Sequence, residues 1–214
     1  DVIIYPGFNE ENNKRINVLN VLGVKYIIDR KENISTQNVF NSKSYKKIYQ
    51  DNGWRIYENN AALPRFFLTS NYKVYSSPKE FSKIFFSQNF TDYKTILLDK
   101  DPKLNLDPLD GSEKINLVSY QPNSINFVSD TKGKHLLFLS DTYYPGWVAE
   151  IDGKETQIYK ADYAFRAIAV PGGIHKISFT FKSSSFRIGY IISLISIFIV
   201  FILFVIKPYD KKDI

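Results

Sequence analysis

Aromatic side chains near residue 145 form a pattern that could bind a sugar. Tyr143, Tyr144 and Trp147 flank a Pro145-Gly146 pair. Flat aromatic rings can stack on the apolar faces of pyranoses, and phenol hydroxyls offer hydrogen bonds. The alternative is structural, in which Trp147 begins a strand and fills the core of a β-sandwich while Pro145 and Gly146 shape the turn before it. The residues leave both interpretations open.

Two arginines could bind an anionic group such as a phosphate. Arg166 lies on a predicted strand, with its side chain on the face opposite those of its two neighbours. A guanidinium group binds phosphate through two parallel hydrogen bonds. The alternative is an ion pair between Arg166 and Asp162 or Asp152. Arg65, in a Leu-Pro-Arg run, has the same two interpretations.

The sequence contains no pattern that predicts catalysis or metal binding. The acidic pairs Asp99/Asp101 and Asp107/Asp110 are of a type used in acid/base catalysis, but they lie in a predicted linker. The two histidines are isolated from any metal-ligand spacing, and the absence of cysteine excludes disulfides and thiolate metal sites. We therefore expect no catalytic residue, no metal and no cofactor in this chain.

A membrane-spanning helix is predicted at Ile188 to Ile206. This run has nineteen residues without charge or proline, and fifteen of them are Ile, Leu, Phe or Val. At ~1.5 Å per residue such a helix spans about 28 Å, close to the hydrocarbon thickness of a bilayer. Arg187 and Lys207 bracket the run as interfacial anchors. The lipid bilayer is therefore an expected partner.

Charge on the two sides of this run predicts its orientation. Lys207, Lys211 and Lys212 follow it, whereas Lys182 and Arg187 lie close before it. The positive-inside rule then places the C-terminus in the cytoplasm and residues 1–185 outside it. The sequence has no methionine, so we expect a piece of a longer, multi-pass protein whose upstream transmembrane segments are missing here.

The remaining residues predict an α+β fold that is mostly β. We expect a small α+β subdomain over residues 1–100, a Pro- and Asp-rich linker at 101–112 and an antiparallel β-sandwich over 113–185. The transmembrane helix (186–207) and a cytoplasmic tail (208–214) follow.

Glycine-containing turns punctuate the predicted sandwich. Asp152-Gly153 joins a predicted strand at residues 147–151 to one at 154–159, and this dipeptide is typical of a two-residue hairpin turn. Gly172 and Gly173 precede the last strand, and Gly146 shapes the turn before Trp147. These five residues are predicted to be structural.

Several sequence blocks together resemble the C-terminal region of YfhO-type bacterial membrane proteins. The blocks are Leu22–Ile27, Asn59–Arg65, Tyr143–Trp147, Asp152–Lys154, Tyr163–Ala167 and Pro171–His175. The resemblance implies a polytopic protein related to the C-type glycosyltransferases, which adds sugars from a polyprenyl-phosphate donor to wall polymers such as lipoteichoic acid. It also implies that the catalytic acidic residues lie upstream of this chain. No residue role carries over from the family to a position here.

We therefore expect the extracytoplasmic C-terminal part of a glycosyltransferase-like bacterial cell-membrane protein, which is not catalytic by itself. It would help to position or recognise a cell-wall glycopolymer or a lipid-linked sugar through Tyr143, Tyr144, Trp147, Arg166 and Arg65. Its expected partners are the bilayer, the upstream transmembrane portion of the same protein and the wall glycopolymer or polyprenyl-phosphate sugar. Nucleic acid is not expected, because the net charge of +6 comes from scattered lysines.

The alternative is a membrane-anchored structural or protein-interaction β-sandwich that binds no sugar. An exposed apolar patch would favour this alternative, and a groove lined by Tyr, Trp and Arg would favour sugar binding.

Overall fold

The structure is a computed structural model that describes residues 12–32, 45–87, 90 and 92–206. Within these residues the chain forms three helices and fourteen strands, which pair into three sheets. The helices are α1 (Asn12–Val21), α2 (Pro78–Phe85) and α3 (Ser184–Val205). The strands are β1 (Tyr26–Arg30), β2 (Tyr45–Gln50), β3 (Trp54–Asn59), β4 (Phe66–Thr69), β5 (Tyr72–Val74), β6 (Ile96–Leu98), β7 (Lys114–Gln121), β8 (Ser124–Thr131), β9 (His135–Leu139), β10 (Trp147–Ile151), β11 (Lys154–Thr156), β12 (Ile158–Ala161), β13 (Phe165–Val170) and β14 (Gly173–Phe181).

Two of the sheets pack face to face as a β-sandwich. One has five antiparallel strands in the order β11-β10-β14-β8-β7. The other has six strands in the order β4-β9-β13-β12-β6-β5, with β5 and β6 parallel and the other pairs antiparallel. Because side chains alternate along a strand, Phe127 and Phe179 of the first sheet meet Leu137 and Ile168 of the second in a buried layer. The predicted, mostly β fold with an antiparallel sandwich is confirmed.

A second apolar layer covers the outer face of the six-stranded sheet. β9 is buried at every position because it lies between both layers. Its Leu137 faces the inner layer, and Phe138 belongs to the outer one. Phe85 of α2 and Phe90 pack in this outer layer. The strands β9 and β13 of the six-stranded sheet are therefore shielded from water on both faces.

The third sheet has three antiparallel strands in the order β1-β3-β2. Leu19 of α1 packs against Ile27 and Tyr57 of this sheet, whereas Val21 packs in the outer layer of the sandwich. α1 thus contacts both the third sheet and the sandwich. Gly23, with a φ of +67°, follows the helix, as is common at helix C-termini.

The sheet topology differs from the predicted division of the chain at residue 100. β4, β5 and β6 precede that position, yet β4 pairs with β9 and β6 pairs with β12. The predicted linker, 101–112, connects β6 of one sandwich sheet to β7 of the other. Residues 66–98 therefore belong to the sandwich. Strand pairing over a long chain separation caused this difference, because local composition carries no signal for it.

The predicted hairpin at Asp152-Gly153 is confirmed, but the strand after it is shorter than expected. Asp152 and Gly153 have φ values of +51° and +77° and join β10 to β11. Positive φ at both positions is typical of a type I′ turn. The run predicted as one strand is interrupted at Gln157, so that β11 and β12 belong to different sheets. Gly172 precedes β14, whose first residue is Gly173.

α3 follows β14 directly and contains most of the predicted apolar run. The helix begins earlier than predicted, at Ser184, where the Ser183 hydroxyl accepts a hydrogen bond from the Phe186 amide at 3.1 Å. No residue of α3 is buried. Among the described residues it is the one helix long and apolar enough to cross a membrane. The predicted anchor Lys207 and the predicted tail lie outside the described residues.

Candidate functional site

A cleft of about 440 Å³ opens at one end of the sandwich. β10 and β14 contribute Trp147 and Phe181 there, which are register partners. β13 contributes Arg166, and the loop after β9 contributes Asp141 and Tyr144. The volume lies in the range of ~300–1,000 Å³ that is usual for small-molecule sites. Three of the five residues predicted to bind carbohydrate, namely Tyr144, Trp147 and Arg166, therefore line the same cleft. Tyr143 and Arg65 lie beside it.

Asp141 connects the charged residues of this cleft. Its Oδ1 accepts hydrogen bonds from Arg65 Nη2 at 2.6 Å and Arg65 Nε at 3.0 Å. Its Oδ2 accepts one from Arg166 Nη2 at 3.1 Å. The Tyr120 hydroxyl donates to Oδ1 at 3.0 Å, and burial, followed by the nearby Asp141 charge, raises the pKa of Tyr120. Two guanidinium groups thus share a single carboxylate.

Arg166 is almost completely buried, with 2% of its surface exposed. Its guanidinium lies 4.0 Å from the ring centroid of Trp147 and 5.5 Å from that of Phe179. Burial lowers the pKa of Arg166, and the charge of Asp141 opposes this decrease. Its Nε and Nη1 atoms have no hydrogen-bond partner among the described residues. Stacking on the Trp147 indole is therefore the main contact of the guanidinium edge formed by Nε and Nη1.

The predicted ion pair of Arg166 with Asp162 or Asp152 is wrong. Asp162 accepts a hydrogen bond from the Leu97 amide, and Asp152 contacts His175. The sheet register explains the choice of Asp141, because Arg166 of β13 is the register partner of the last residue of β9. The chain leaving β9 then carries Asp141 alongside Arg166.

Trp147 lies both against the core of the sandwich and at the surface of the cleft. It is half-buried and packs against the layer between the sheets, with its ring 5.5 Å from that of Phe181. It also lines both the main cleft and a smaller one of about 280 Å³ beside it. Tyr144 lines both clefts and is 61% exposed, while Tyr143 lines the smaller one. Sugar binding by these rings stays a prediction.

Gly146 lies in the loop that carries Tyr144, and it packs closely against the end of β14, the strand that leads into α3. Its φ is +105°, and a Cβ atom there would lie 2.9 Å from the Phe181 ring. The Lys182 amide donates to the Gly146 carbonyl at 2.6 Å. A side chain at this position would therefore displace the loop.

Sequence reasoning missed Asp141 and Tyr120. Asp141 precedes the aromatic run by two positions, and this proximity is the signal that could have found it. Tyr120 lies on the edge strand β7 after a register shift between Leu117 and Ser119. A bulge of this kind re-aims side chains and is not visible in an alternating pattern.

The acidic residues considered for catalysis form loop contacts outside the cleft lining. Asp107 accepts a hydrogen bond from the Lys134 amide at 2.7 Å, and Asp110 pairs with Lys132 at 2.7 Å. Within the described ranges, no group of three or more His, Asp or Glu side chains is arranged to hold a metal ion.

The described region is thus a β-sandwich module that continues into an exposed apolar helix long and apolar enough to cross a membrane. Residues 110–193 match the family described as bacterial membrane protein YfhO. This segment, from β7 into α3, is similar to a YfhO-type C-terminal region, and it contains the cleft lining but not Arg65.

One curated relative is the uncharacterized protein YfhO of Bacillus subtilis (strain 168), with 33% identity over 86 residues. The matched segment covers 40% of this chain and 10% of that protein, so this chain corresponds to a small part of its relative's length. No solved structure matches the chain.

Proposed function

We propose that the sandwich is a saccharide-recognition module in which Tyr144, Trp147, Arg166 and Asp141 bind a sugar. The observation that carries this proposal is that exposed aromatic surface and charged hydrogen-bonding groups line a single cleft. Rings provide stacking surface for the apolar face of a sugar, and the carboxylate and guanidinium suit its hydroxyl groups. The module itself is proposed to be non-catalytic.

In this proposal the module belongs to a multi-pass, glycosyltransferase-like protein of the bacterial cell membrane. The sandwich lies outside the cytoplasm and presents a cell-wall glycopolymer, such as lipoteichoic acid, or a lipid-linked sugar to catalytic residues elsewhere in the protein. The membrane-protein family match, the apolar α3 and the excess of basic residues after the predicted span support this arrangement.

Fluorescence of Trp147 in the full chain tests the sugar site. The sequence has two tryptophans, so Trp54→Phe leaves Trp147 as the sole reporter. In lipid nanodiscs, titration with lipoteichoic acid or its sugar components should shift the Trp147 emission in a saturable way.

The matched variants are Tyr144→Ala and Tyr26→Ala, since both tyrosines are more than half exposed and Tyr26 lies on the third sheet. Tyr144→Ala should weaken binding roughly two- to tenfold, because a ring contact contributes about 0.5–1.5 kcal/mol. Tyr26→Ala should leave it unchanged. No saturable shift at millimolar sugar would leave the cleft with a structural role.

A second candidate function is protein interaction through the third sheet. Its outer face exposes large apolar side chains on all three strands, with Tyr26 and Ile28 on β1, Ile48 and Tyr49 on β2 and Trp54 on β3. Such a face is typical of an interaction surface. Ile28→Glu, which adds a charge to that face, should abolish partner capture in crosslinked cells and leave sugar binding intact if the two functions coexist.

A further inference from the structure

The loop that carries Tyr143 and Tyr144 lies at the same end of the sandwich as the start of α3. The Lys182 amide donates to the Gly146 carbonyl at 2.6 Å, and the helix begins at Ser184. The Arg187 amide bonds to the Ser183 carbonyl at 3.2 Å, so that Ser183 already lies in the first turn. The tyrosine loop is therefore fixed to the chain immediately before the apolar helix.

Distances along the helix place this loop at the membrane interface. With a rise of ~1.5 Å per residue, the helix from Ser183 to Ile188, the first residue of the uncharged run, covers about 8 Å. Lys182 adds up to about 3.5 Å. The polar layer on each side of the hydrocarbon is ~5–8 Å thick. A loop bonded to Lys182 thus lies up to about 11 Å from the hydrocarbon, a few Å beyond that layer, and a tyrosine side chain can span the remaining distance to the headgroups.

The exposed side chains at this position suit a lipid interface. Tyr143 and Tyr144 are 40% and 61% exposed. Tyrosine and tryptophan are enriched where hydrocarbon meets water, because the ring is apolar and the polar end stays hydrated. Lys182 is half exposed, and Arg187 lies in the first turn of α3. Lys182 also pairs with Glu150 at 3.3 Å, and Arg187 would face the phosphate groups of lipids.

We propose that the loop at residues 142–146 is a lipid-contacting surface, whose exposed outer edge lies against the lipid headgroups when α3 crosses the bilayer. The occupant is the lipid headgroup layer. This contact would fix the tilt of the sandwich on its helix, because the module would then touch the membrane at two points. The cleft beside Tyr144 would in consequence open near the headgroups rather than far above them.

Spin labels on single cysteines test this contact in the full chain, which contains no native cysteine. Tyr144→Cys reports on the loop, and Lys154→Cys reports on the far end of β10, at the opposite end of the same hairpin. In vesicles of phosphatidylcholine and phosphatidylglycerol, the label at position 144 should collide more with oxygen and less with a water-soluble nickel chelate than the label at 154. Equal collision ratios at the two positions would overturn the proposal.

A second measurement keeps the native loop intact. In the Trp54→Phe variant, Trp147 should be quenched more strongly by lipids that carry a nitroxide on the headgroup than by lipids that carry it near the middle of the acyl chain. Absence of quenching by either lipid would also refute the contact. Neither experiment includes a saccharide, so its outcome is independent of the proposed sugar site.

Discussion

The guanidinium of Arg166 is held between the Trp147 ring, 4.0 Å from its centroid, and the carboxylate of Asp141, 3.1 Å from its Nη2. A buried cation needs a counter-charge and close contacts to offset its lost hydration. Arg166 obtains the counter-charge from Asp141 and a cation–π contact from Trp147. The aromatic wall and the charged wall of the cleft are thereby joined through one side chain. A change in either contact should alter both walls.

Removal of the buried guanidinium should destabilise the sandwich much more than removal of the exposed one. Arg166→Met keeps an apolar stem but leaves Asp141 with Arg65 and Tyr120, and we expect a loss of about 3 kcal/mol of unfolding free energy. Arg65→Met is the matched control, since its side chain is 58% exposed, and should cost about 1 kcal/mol or less. Urea unfolding of the full chain in detergent micelles, followed by near-ultraviolet circular dichroism, measures both. Equal losses of unfolding free energy would show that the buried Arg166 stabilises the fold no more than the exposed Arg65 does.

The turn at Gly153 should tolerate asparagine and reject valine. Its φ of +77° strains a β-branched residue, although a Cβ atom there would meet nothing within 4 Å. Gly153→Val should therefore lower the unfolding free energy by ~1 kcal/mol or more through backbone strain alone. Gly153→Asn should have a smaller effect, because asparagine adopts positive φ more readily. Thermal unfolding of both variants distinguishes strain from crowding, and a stable valine variant would contradict the assigned turn.

Asp162 should make the fold less stable as pH rises. Burial raises its pKa to about 7 from its usual 3.8, and the hydrogen bond from the Leu97 amide opposes this increase. The folded state then keeps a proton that the unfolded state has released, so stability falls as pH rises above about 4 and levels off above about 7.

Asp162→Asn should remove this part of the pH dependence. Asparagine has the same shape, tolerates the φ of +44° and still accepts the Leu97 hydrogen bond. Unfolding free energies measured from pH 4 to 8 should differ most between the two proteins at the alkaline end. Parallel profiles would mean that Asp162 titrates normally in the folded state.

His175 should contribute stability at low pH that is lost as pH rises. Its Nδ1 lies 2.6 Å from Asp152 Oδ2, and its Nε2 lies 3.0 Å from the Gly172 carbonyl oxygen. The hydrogen bond with Asp152, followed by that with Gly172, raises the pKa of His175 above its usual 6.5. The contribution is complete below about pH 6.5 and disappears as pH rises through the raised folded value.

Asp152→Asn should lower the pKa of His175, which an NMR titration of the imidazole measures directly. Asparagine suits the positive φ of Asp152, so the turn should remain intact. Glu155→Gln is the control, because it removes a carboxylate of the same hairpin that is not hydrogen-bonded to His175. A similar decrease in both variants would indicate a general charge effect instead of a specific hydrogen bond.

Local signals predicted the parts of the fold that depend on neighbouring residues. The uncharged run that became α3 and the Asp152-Gly153 turn both follow from a short stretch of sequence. The sheet assignment of β4 to β6 does not, because these strands pair with residues tens of positions away. Local signals also fail to predict the ion pair of the site, because Arg166 pairs with Asp141, which is distant in the chain, and not with Asp162 or Asp152.

The sequence by itself determined that this chain is β-rich, that it carries an apolar run of membrane-spanning length and that aromatic and guanidinium groups occur in its C-terminal half. Composition and spacing suffice for these features, because each depends on residues close together in the chain. Only the tertiary structure decided that Arg65, Tyr120 and Arg166 meet around the carboxylate of Asp141. It also decided that Trp147 stacks on the Arg166 guanidinium. Strand register brings these residues together over long separations, and register is set by the packing of whole sheets.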